Sequence, residues 1–349
     1  MQIDFGGGSE ISFEKRGKAG LIKLTRASAL NSLTHNMILT LERALNAWEE
    51  DSSVACVIVE GEGRAFCAGG DVVAAYRAKY AGIPAYEFFR DEYRLNAHIG
   101  RFSKPYISFL DGIVMGGGAG ISVHGSHRIV TENTLFAMPE TGIGFFPDVG
   151  GSAFLPHLPG NFGLYLALTG NRIRWGDCLQ SGIATHAVKS DALDALREEL
   201  IATADLDALQ NYRQQPDFET SAEMRQVIAQ SFAHGTLKEC IDALENSVEQ
   251  GHKSAADILN VLTSRSPTSL AVTFRQMKDA RALNLNDCLR MEYRIASRML
   301  KGHDFYEGVR AVLVDKDGAP VWNPVSLDQV TPETIETYFE NLSERELNL

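Results

Sequence analysis

The sequence predicts an α/β fold followed by a helical C-terminal region. Short apolar runs alternate with amphipathic helical patterns up to about residue 190, and glycine clusters stand where a run gives way to a helix. Past Leu193 the apolar runs vanish and helical patterns follow one another almost to the end. Strands alternating with helices favour crossover connections, and 349 residues exceed what one core usually needs. We therefore expect an α/β core over residues 1–200 and a helical region over 201–349.

Each element follows from its periodicity. Residues 11–33 alternate apolar and polar around a turn at Gly17 and Gly20, which predicts a hairpin. Residues 34–50 are amphipathic with helical spacing, and residues 54–59 form an apolar run typical of a strand buried on both faces. Further strands are predicted at 106–110, 128–130 and 134–138, and further helices open at Pro84 and near Ala119. The C-terminal helices are predicted over 222–232, 237–250, 255–264, 269–282 and 285–300.

Composition and charge exclude several classes of protein. No apolar run approaches the length of about 20 residues that spans a bilayer, so we expect no membrane partner. The 33 Lys and Arg against 45 Asp and Glu give a formal charge of -12, which argues against nucleic-acid binding. Five widely spaced cysteines, without a zinc-like His or Cys pattern, indicate neither a disulfide framework nor a metal site.

The amino terminus carries no visible address. It lacks the basic start and apolar stretch of a secretory signal and the Arg-rich amphipathic character of a transit peptide. The sequence therefore predicts a cytoplasmic protein.

Two glycine-rich turns, at residues 61–71 and 112–120, each join a predicted strand to a predicted helix. Backbone amides at such junctions lack partners and carry partial positive charge, so two converging turns would make an oxyanion hole. Alternatively, the glycines supply positive φ and close packing. Neither turn matches a nucleotide-binding loop, and no Gly-x-Ser-x-Gly motif of a serine hydrolase occurs.

Three carboxylates stand among apolar neighbours. Glu140 and Asp148 lie in the apolar segment 136–151, where desolvation would raise a carboxyl pKa and make the group a better base or nucleophile. The alternative makes Glu140 a loop carboxylate and Asp148 a helix N-cap. Glu92 shares a helical face with Phe88 and Phe89, so it either pairs with a buried Arg or Lys or faces a cleft.

As a set, these segments resemble the crotonase (enoyl-CoA hydratase/isomerase) superfamily, in particular its hydrolase branch. The resemblance rests on residues 65–71, 112–120 and 136–151 and extends to the tail segments 291–294 and 302–311. It implies a crotonase-like spiral of ββα units with a catalytic core over 1–200 and a helical C-terminal region. It also implies a small-molecule acyl-CoA substrate and no cofactor, since coenzyme A is part of the substrate. A homo-oligomer is compatible with the superfamily.

The resemblance assigns roles residue by residue. The amides of Gly70 and Gly117 would form the oxyanion hole. Ala65 and Ala68 lie where family members contact the adenine of coenzyme A through backbone groups. The bulk negative charge requires local donors for the anionic coenzyme A, and the candidates near this turn are Arg26 and Arg64.

A departure from the hydratase pattern indicates the reaction. Gly120 stands where hydratases have their first catalytic Glu, Glu140 fills the second position, and Asp148 stands where hydratases usually have glycine. The resemblance therefore implies hydrolysis of a short 3-hydroxyacyl-CoA, with 3-hydroxyisobutyryl-CoA of valine breakdown as the expected substrate. Glu140 would attack the carbonyl or activate water, while Asp148 and Glu92 would orient the substrate hydroxyl and the water. Gly117 would also contact substrate.

Two other functions stay open at this point. An enoyl-CoA hydratase or isomerase could use Glu140 as its single base. A catalytically idle acyl-CoA-binding protein would be expected to lose the acids around the glycine turns, whereas Glu140 and Asp148 are present.

Overall fold

A computed structural model describes residues 1–82 and 85–349, without the side chain of Tyr80. The predicted first residue of one helix, Pro84, lies outside the described residues, and the helix itself begins at Tyr86 in the structure. The strands are β1 (Gln2–Ile3), β2 (Ile11–Arg16), β3 (Ala19–Leu24), β4 (Cys56–Gly61), β5 (Ala65–Cys67), β6 (Tyr106–Leu110), β7 (Ile113–Met115), β8 (His127–Val130), β9 (Leu135–Ala137), β10 (His186–Val188) and β11 (Arg213–Gln214).

The helices of the first 220 residues alternate with these strands. They are α1 (His35–Glu50), α2 (Val72–Tyr80), α3 (Tyr86–Arg101), α4 (Gly117–Gly120), α5 (Gly151–Phe154), α6 (Phe162–Thr169), α7 (Trp175–Ser181), α8 (Leu193–Thr203) and α9 (Ala208–Asn211). The remaining helices are α10 (Ala222–Ser231), α11 (Leu237–Glu249), α12 (Lys253–Thr263), α13 (Pro267–Asp279), α14 (Leu285–Met299), α15 (Asp304–Val309), which continues as a π-helix over Arg310–Val314, and α16 (Pro332–Phe339). Every predicted C-terminal helix is confirmed to within about three residues at each end.

Within the described residues the strands form two sheets, ordered β1-β2-β3-β4-β6-β8-β10-β11 and β5-β7-β9. From β4 to β9, each successive pair of strands gives its first member to the larger sheet and its second to the smaller one, whereas β10 and β11 both join the larger sheet. The pairs β3–β4, β4–β6, β6–β8 and β8–β10 are parallel. This repeated ββα arrangement confirms the predicted α/β class with crossover connections.

The predicted hairpin ends earlier than expected. β2 and β3 pair antiparallel from Ile11 opposite Leu24 to Arg16 opposite Ala19. Residues 27–29 form a short 3-10 helix instead of continuing the strand. The next prediction is confirmed closely, because the Thr34 side chain accepts the amide of Met37 and caps α1 at its N-terminus.

The chain divides into two compact units, each made of separate stretches of sequence. Unit 1 comprises residues 1–71, 91–136 and 173–219, and unit 2 comprises residues 72–90, 137–172 and 220–349. This division differs from the predicted boundary at residue 200, which itself stays a prediction. The core of unit 1 packs β4 and β6 against α8, through Ile58, Ile107 and Leu196 among others.

Unit 2 is built around α6, all eight residues of which are buried. Helices α10, α12 and α13 contact it. An all-apolar helix needs neighbours on every side, and the C-terminal helices supply them. None of the helices described here has the length and apolar character needed to cross a bilayer.

Candidate active site

The first glycine turn leaves the backbone amide of Gly70 facing away from the neighbouring residue Leu33. Leu33 bridges the turn: its amide donates to the Gly69 carbonyl at 2.8 Å, and its carbonyl accepts from the Asp71 amide at 2.9 Å. In a parallel bridge of this kind the residue between the two partners points its own N–H to the opposite side. The amide of Gly70 therefore faces away from Leu33.

The second glycine turn brings Gly117 next to it. A methyl group on Gly117 would lie 3.1 Å from the amide nitrogen of Gly70, and one on Gly69 would lie 3.8 Å from the amide nitrogen of Gly117. Gly117 is the first residue of α4, so its amide belongs to the N-terminal set without intrahelical acceptors. The structure thus places the two predicted oxyanion donors side by side within unit 1.

Other glycines of these turns serve packing. Gly112 has φ +87°, and a Cβ there would lie 2.3 Å from the Arg64 carbonyl oxygen. A Cβ on Gly118 would lie 2.2 Å from the carbonyl oxygen of Cys67. Close packing therefore accounts for Gly112 and Gly118, and the oxyanion role of Gly70 and Gly117 stays a prediction.

Glu92 lies beside the two amides. Its side chain is buried, and its Oε1 would be 2.5 Å from a Cβ on Gly117. Cys67 lies nearby, and burial, reinforced by the charge of Glu92, raises the pKa of this thiol to about 12. A thiol with such a pKa stays protonated at neutral pH, so Cys67 is not a nucleophile here. We refer to Gly70, Gly117 and Glu92 as the amide cluster.

The predicted coenzyme A contacts lie in unit 1 with different surroundings. The carbonyl of Ala65 accepts from Asn31 Nδ2 at 2.8 Å, and the amide of Ala68 donates to the Leu30 carbonyl at 3.0 Å. Arg64 is exposed. The remaining candidate is Arg26. Its guanidinium forms ion pairs with Asp71 Oδ2 at 2.8 Å and Glu10 Oε1 at 3.4 Å, and it donates to the Ser32 carbonyl at 3.0 Å.

Glu140 lies in unit 2, where it opens a short 3-10 helix, Glu140–Ile143, and is only 6% exposed. The tail packs against this turn backbone to backbone. A Cβ on Gly308 would lie 2.3 Å from the carbonyl carbon of Ile143, and one on Gly144 would lie 2.2 Å from the carbonyl oxygen of Asp304. The tail segment 302–311, singled out in the sequence, therefore supports the Glu140 turn.

Asp148 is buried in the same unit at 5% exposure. The alternative that made Asp148 a helix N-cap is wrong, because the N-cap of α5 is Gly150 and α5 begins at Gly151. Val149 and Gly150 both have positive φ, at +52° and +80°. The turn after Asp148 thus places a β-branched residue in the left-handed region, where such residues are strained.

Sequence reasoning missed a role for Glu292, which lies on α14 and is fully buried. Its carboxylate accepts the amide of Gly150 at 2.7 Å and the amide of Ser152 at 3.0 Å. Burial is the main cause that raises the pKa of Glu292 to about 8, and the charge of Asp148 adds to it. Its buried position on an otherwise amphipathic helix was the available signal. Glu140, Asp148 and Glu292 are three buried carboxylates of unit 2, which we call the carboxylate cluster because they share that unit; an interaction is given for Asp148 and Glu292.

The arrangement has defined chemical capabilities. Two adjacent backbone amides can bind a developing oxyanion, and buried carboxylates can serve as base or nucleophile. Gly120, buried at the end of α4, contributes no side chain. The amide cluster belongs to unit 1 and the carboxylate cluster to unit 2, and the contacts given above lie within each unit.

Comparison with known proteins agrees with this picture. The enoyl-CoA hydratase/isomerase family matches residues 19–339. The mitochondrial 3-hydroxyisobutyryl-CoA hydrolase of Danio rerio is 45% identical, covering 98% of this chain and 92% of the relative. That of Homo sapiens is 43% identical, covering 97% and 90%.

Solved structures give the same fold. A carnitinyl-CoA dehydratase from Mycobacterium thermoresistibile is 43% identical with a TM-score of 0.92, covering 98% of this chain and 99% of that one. An enoyl-CoA hydratase from Rhodobacter sphaeroides 2.4.1 is 36% identical with a TM-score of 0.89, covering 98% and 100%. The predicted crotonase-like fold with a helical C-terminal region is confirmed. These names describe hydratases and dehydratases, whereas the curated relatives are hydrolases.

One prediction is corrected by these relatives. The sequence predicts a cytoplasmic protein, but the curated vertebrate hydrolases are named as mitochondrial. The comparison points to mitochondria, so the prediction is wrong. The similarity itself supports an enzyme with an acyl-CoA hydrolase role.

Proposed function

The chain belongs to the enoyl-CoA hydratase/isomerase family, and we propose that it hydrolyses a short 3-hydroxyacyl-CoA, namely 3-hydroxyisobutyryl-CoA of valine breakdown. The observation that carries the proposal is Gly120, buried where a hydratase has a catalytic carboxylate. Concerted addition of water to an enoyl group uses two carboxylates, and this chain offers only Glu140 at those two positions. Hydrolysis of a thioester needs one base or nucleophile and an oxyanion hole.

The amide cluster would bind the thioester oxygen. The amides of Gly70 and Gly117 lie side by side, so one oxygen can accept from both. Their hydrogen bonds strengthen as negative charge develops on that oxygen, and loss of one such donor costs about 2.7 to 4 kcal/mol of transition-state stabilisation. Burial increases this contribution because water does not compete.

Glu140 would perform the chemistry. In one route its carboxylate attacks the thioester carbonyl, coenzyme A leaves as thiolate, and water then hydrolyses the mixed anhydride. In the other route Glu140 takes a proton from water that attacks the carbonyl directly. Either route gives free acid and free coenzyme A thiol.

Glu92 and Asp148 would orient the substrate. Glu92 lies against Gly117, in reach of a group held by the two amides, and Asp148 follows the Glu140 turn in a buried loop. A 3-hydroxyl group gives such carboxylates a donor to hold. Coenzyme A is part of the substrate, and the proposal includes no other cofactor; the exposed Arg64 and the backbone of Ala65 and Ala68 would contact it, with Arg26 supporting the turn through its ion pairs.

An enoyl-CoA hydratase or isomerase that uses Glu140 as its single base is the second candidate. It is favoured by the two similar solved structures, which are described as a dehydratase and a hydratase. The two functions differ in their product, because hydrolysis releases a thiol whereas hydration removes an enoyl double bond.

A paired assay separates the two. The purified chain is given 3-hydroxyisobutyryl-CoA in a thiol-release assay, beside a panel of other short acyl-CoAs, and crotonyl-CoA followed at the enoyl absorbance. We expect thiol release that is fastest for the 3-hydroxyacyl thioester and no loss of enoyl absorbance. Loss of enoyl absorbance without thiol release would support the hydratase instead.

A further inference from the structure

Glu292 is a buried carboxylate with a specific task in unit 2. It comes from α14, about 140 residues beyond the loop that it binds, and reaches three donors there. Its Oε2 accepts the amide of Gly150, while its Oε1 accepts both the amide and the hydroxyl of Ser152, the latter at 2.5 Å. A buried carboxylate is costly to desolvate, and an apolar side chain of similar volume is often the more stable choice. The geometry of the loop gives a reason for its presence.

The loop between Asp148 and Ser152 needs an external constraint. Val149 has φ +52° and Gly150 has φ +80°, so two successive residues are left-handed. A β-branched residue persists in that region only when its surroundings fix it. Glu292 accepts hydrogen bonds from Gly150 and Ser152, which lie one and three residues after Val149, so it holds the turn on its C-terminal side.

Neighbouring groups act on Glu292 from the loop and from its own helix. Asp148 acts on it from the loop, and Cys288 lies one helical turn earlier on the same helix, with a thiol whose pKa burial raises to about 12. Ser152 contributes the hydroxyl between them. Two neighbouring carboxyl groups avoid being charged together, so the charge of Asp148 favours the protonated form of Glu292.

We propose that Glu292 is a positioning residue that holds the Asp148–Gly150 turn in its left-handed conformation and thereby directs the Asp148 side chain toward the substrate. The inference rests on the proposed function of Asp148. Because Glu292 acts through the backbone of the turn, its loss lowers kcat more than it raises KM. A misplacement of about 1 Å at a reacting group costs about 100-fold in rate.

Two substitutions separate positioning from a merely structural role. Glu292→Gln keeps one acceptor for the loop amides, whereas Glu292→Leu fills the space and keeps none. We expect kcat for thiol release to fall about 3- to 10-fold in the first and about 10- to 100-fold in the second, with KM within two-fold. We also expect kcat of the wild type to decline as pH rises through about 8, where Glu292 loses its proton, and neither variant should show that decline.

Amide hydrogen exchange of residues 148–154 supplies a readout independent of activity. Exchange should be faster in Glu292→Leu even where its melting temperature equals or exceeds that of the wild type. Asp177→Asn is the matched control in unit 1, since Asp177 is a buried carboxylate that accepts the Glu219 amide at 3.0 Å. It should leave kcat and the exchange of residues 148–154 unchanged.

The outcomes are distinct. Wild-type kcat, pH profile and loop exchange in Glu292→Leu would overturn the proposal, as would an equal loss of kcat in Asp177→Asn. A wild-type protein that releases no thiol contradicts the proposed function, and the exchange measurement then still decides whether Glu292 holds the turn.

Discussion

The two clusters of the candidate site are built in opposite ways. The amide cluster presents the backbone amides of Gly70 and Gly117, placed by turns that join neighbouring strands and helices, with the Glu92 side chain beside them. In the carboxylate cluster, Glu140 and Asp148 lie on turns that residues far along the chain hold: Glu292, the third member, binds the Asp148 loop from α14, and Asp304 and Gly308 pack on the Glu140 turn.

Because of this difference, the two clusters are sensitive to different kinds of substitution. Backbone amides survive most side-chain changes but not a change that adds bulk at a glycine. Carboxylates on loops depend on their own identity and on distant supports. The following substitutions test the contrast, starting from the largest expected effect.

Replacing the acid itself should have the largest effect. Glu140→Gln keeps the size of the side chain but can neither attack the carbonyl nor take a proton, so we expect thiol release to fall by about 100- to 10,000-fold or more. The melting temperature should stay close to that of the wild type. Normal turnover in this variant would remove Glu140 from the mechanism.

Adding a methyl group to the amide cluster comes next. The Cβ of Gly117→Ala would meet Glu92 Oε1 at 2.5 Å and the Gly70 nitrogen at 3.1 Å. Loss of one oxyanion donor predicts about a 100- to 1,000-fold fall in kcat. Gly235→Ala is the control, because its Cβ meets only Glu239 Oε2, at 3.5 Å. Equal kcat values for the two variants would contradict the oxyanion assignment.

Asp148→Asn should have an intermediate effect. The amide cannot supply the charge that orients the substrate hydroxyl, so we expect about a 10- to 100-fold loss in kcat/KM for the 3-hydroxyacyl thioester. The loss should shrink for the same thioester without its 3-hydroxyl group. An equal loss for both substrates would show that Asp148 does not read the hydroxyl.

The buried position of Glu292 predicts a pH-dependent stability. Its pKa is about 8 in the folded chain, against 4.5 as its ordinary value, so the unfolded chain binds fewer protons between these pH values. Its contribution to the free energy of unfolding therefore falls as pH rises from about 4.5 to about 8. In Glu292→Gln, the fall in melting temperature between about pH 4.5 and about pH 8 should be smaller than in the wild type by about 2 °C or more. Parallel curves for variant and wild type would mean that Glu292 does not titrate as described.

The smallest effect is expected at the exposed Arg64. Arg64→Ala should raise KM about 2- to 5-fold with kcat unchanged, because an exposed charge pair contributes little. The increase should weaken as salt concentration rises. A KM independent of both the substitution and the salt would exclude Arg64 from coenzyme A binding.

The sequence predicts the two clusters unequally well. Local pattern marks the two glycine-rich turns as junctions between a strand and a helix, and the family resemblance selects Gly70 and Gly117 within them. Glu140 and Asp148 are readable as acids in an apolar segment, but their support is not. The bond from Glu292 to Gly150 joins positions 142 residues apart, and no local periodicity reports such a contact.

The limits of the fold prediction have the same origin. Helix and strand positions follow from periodicity, and most are confirmed, including the helix predicted over residues 34–50, which is α1. The two compact units interleave three stretches of chain each, and periodicity carries no signal for such an interleaving. Local pattern places elements, whereas tertiary packing decides which of them form one core.

The most direct test of the central claim is a crystal structure of the Glu140→Gln variant with bound 3-hydroxyisobutyryl-CoA. We expect the thioester oxygen to lie about 2.7 to 3.1 Å from the amide nitrogens of both Gly70 and Gly117. We also expect the side chain at position 140 to lie about 3 to 3.5 Å from the carbonyl carbon or from a water molecule that contacts this carbon. A thioester bound away from the two amides, or beyond the reach of residue 140, would contradict it.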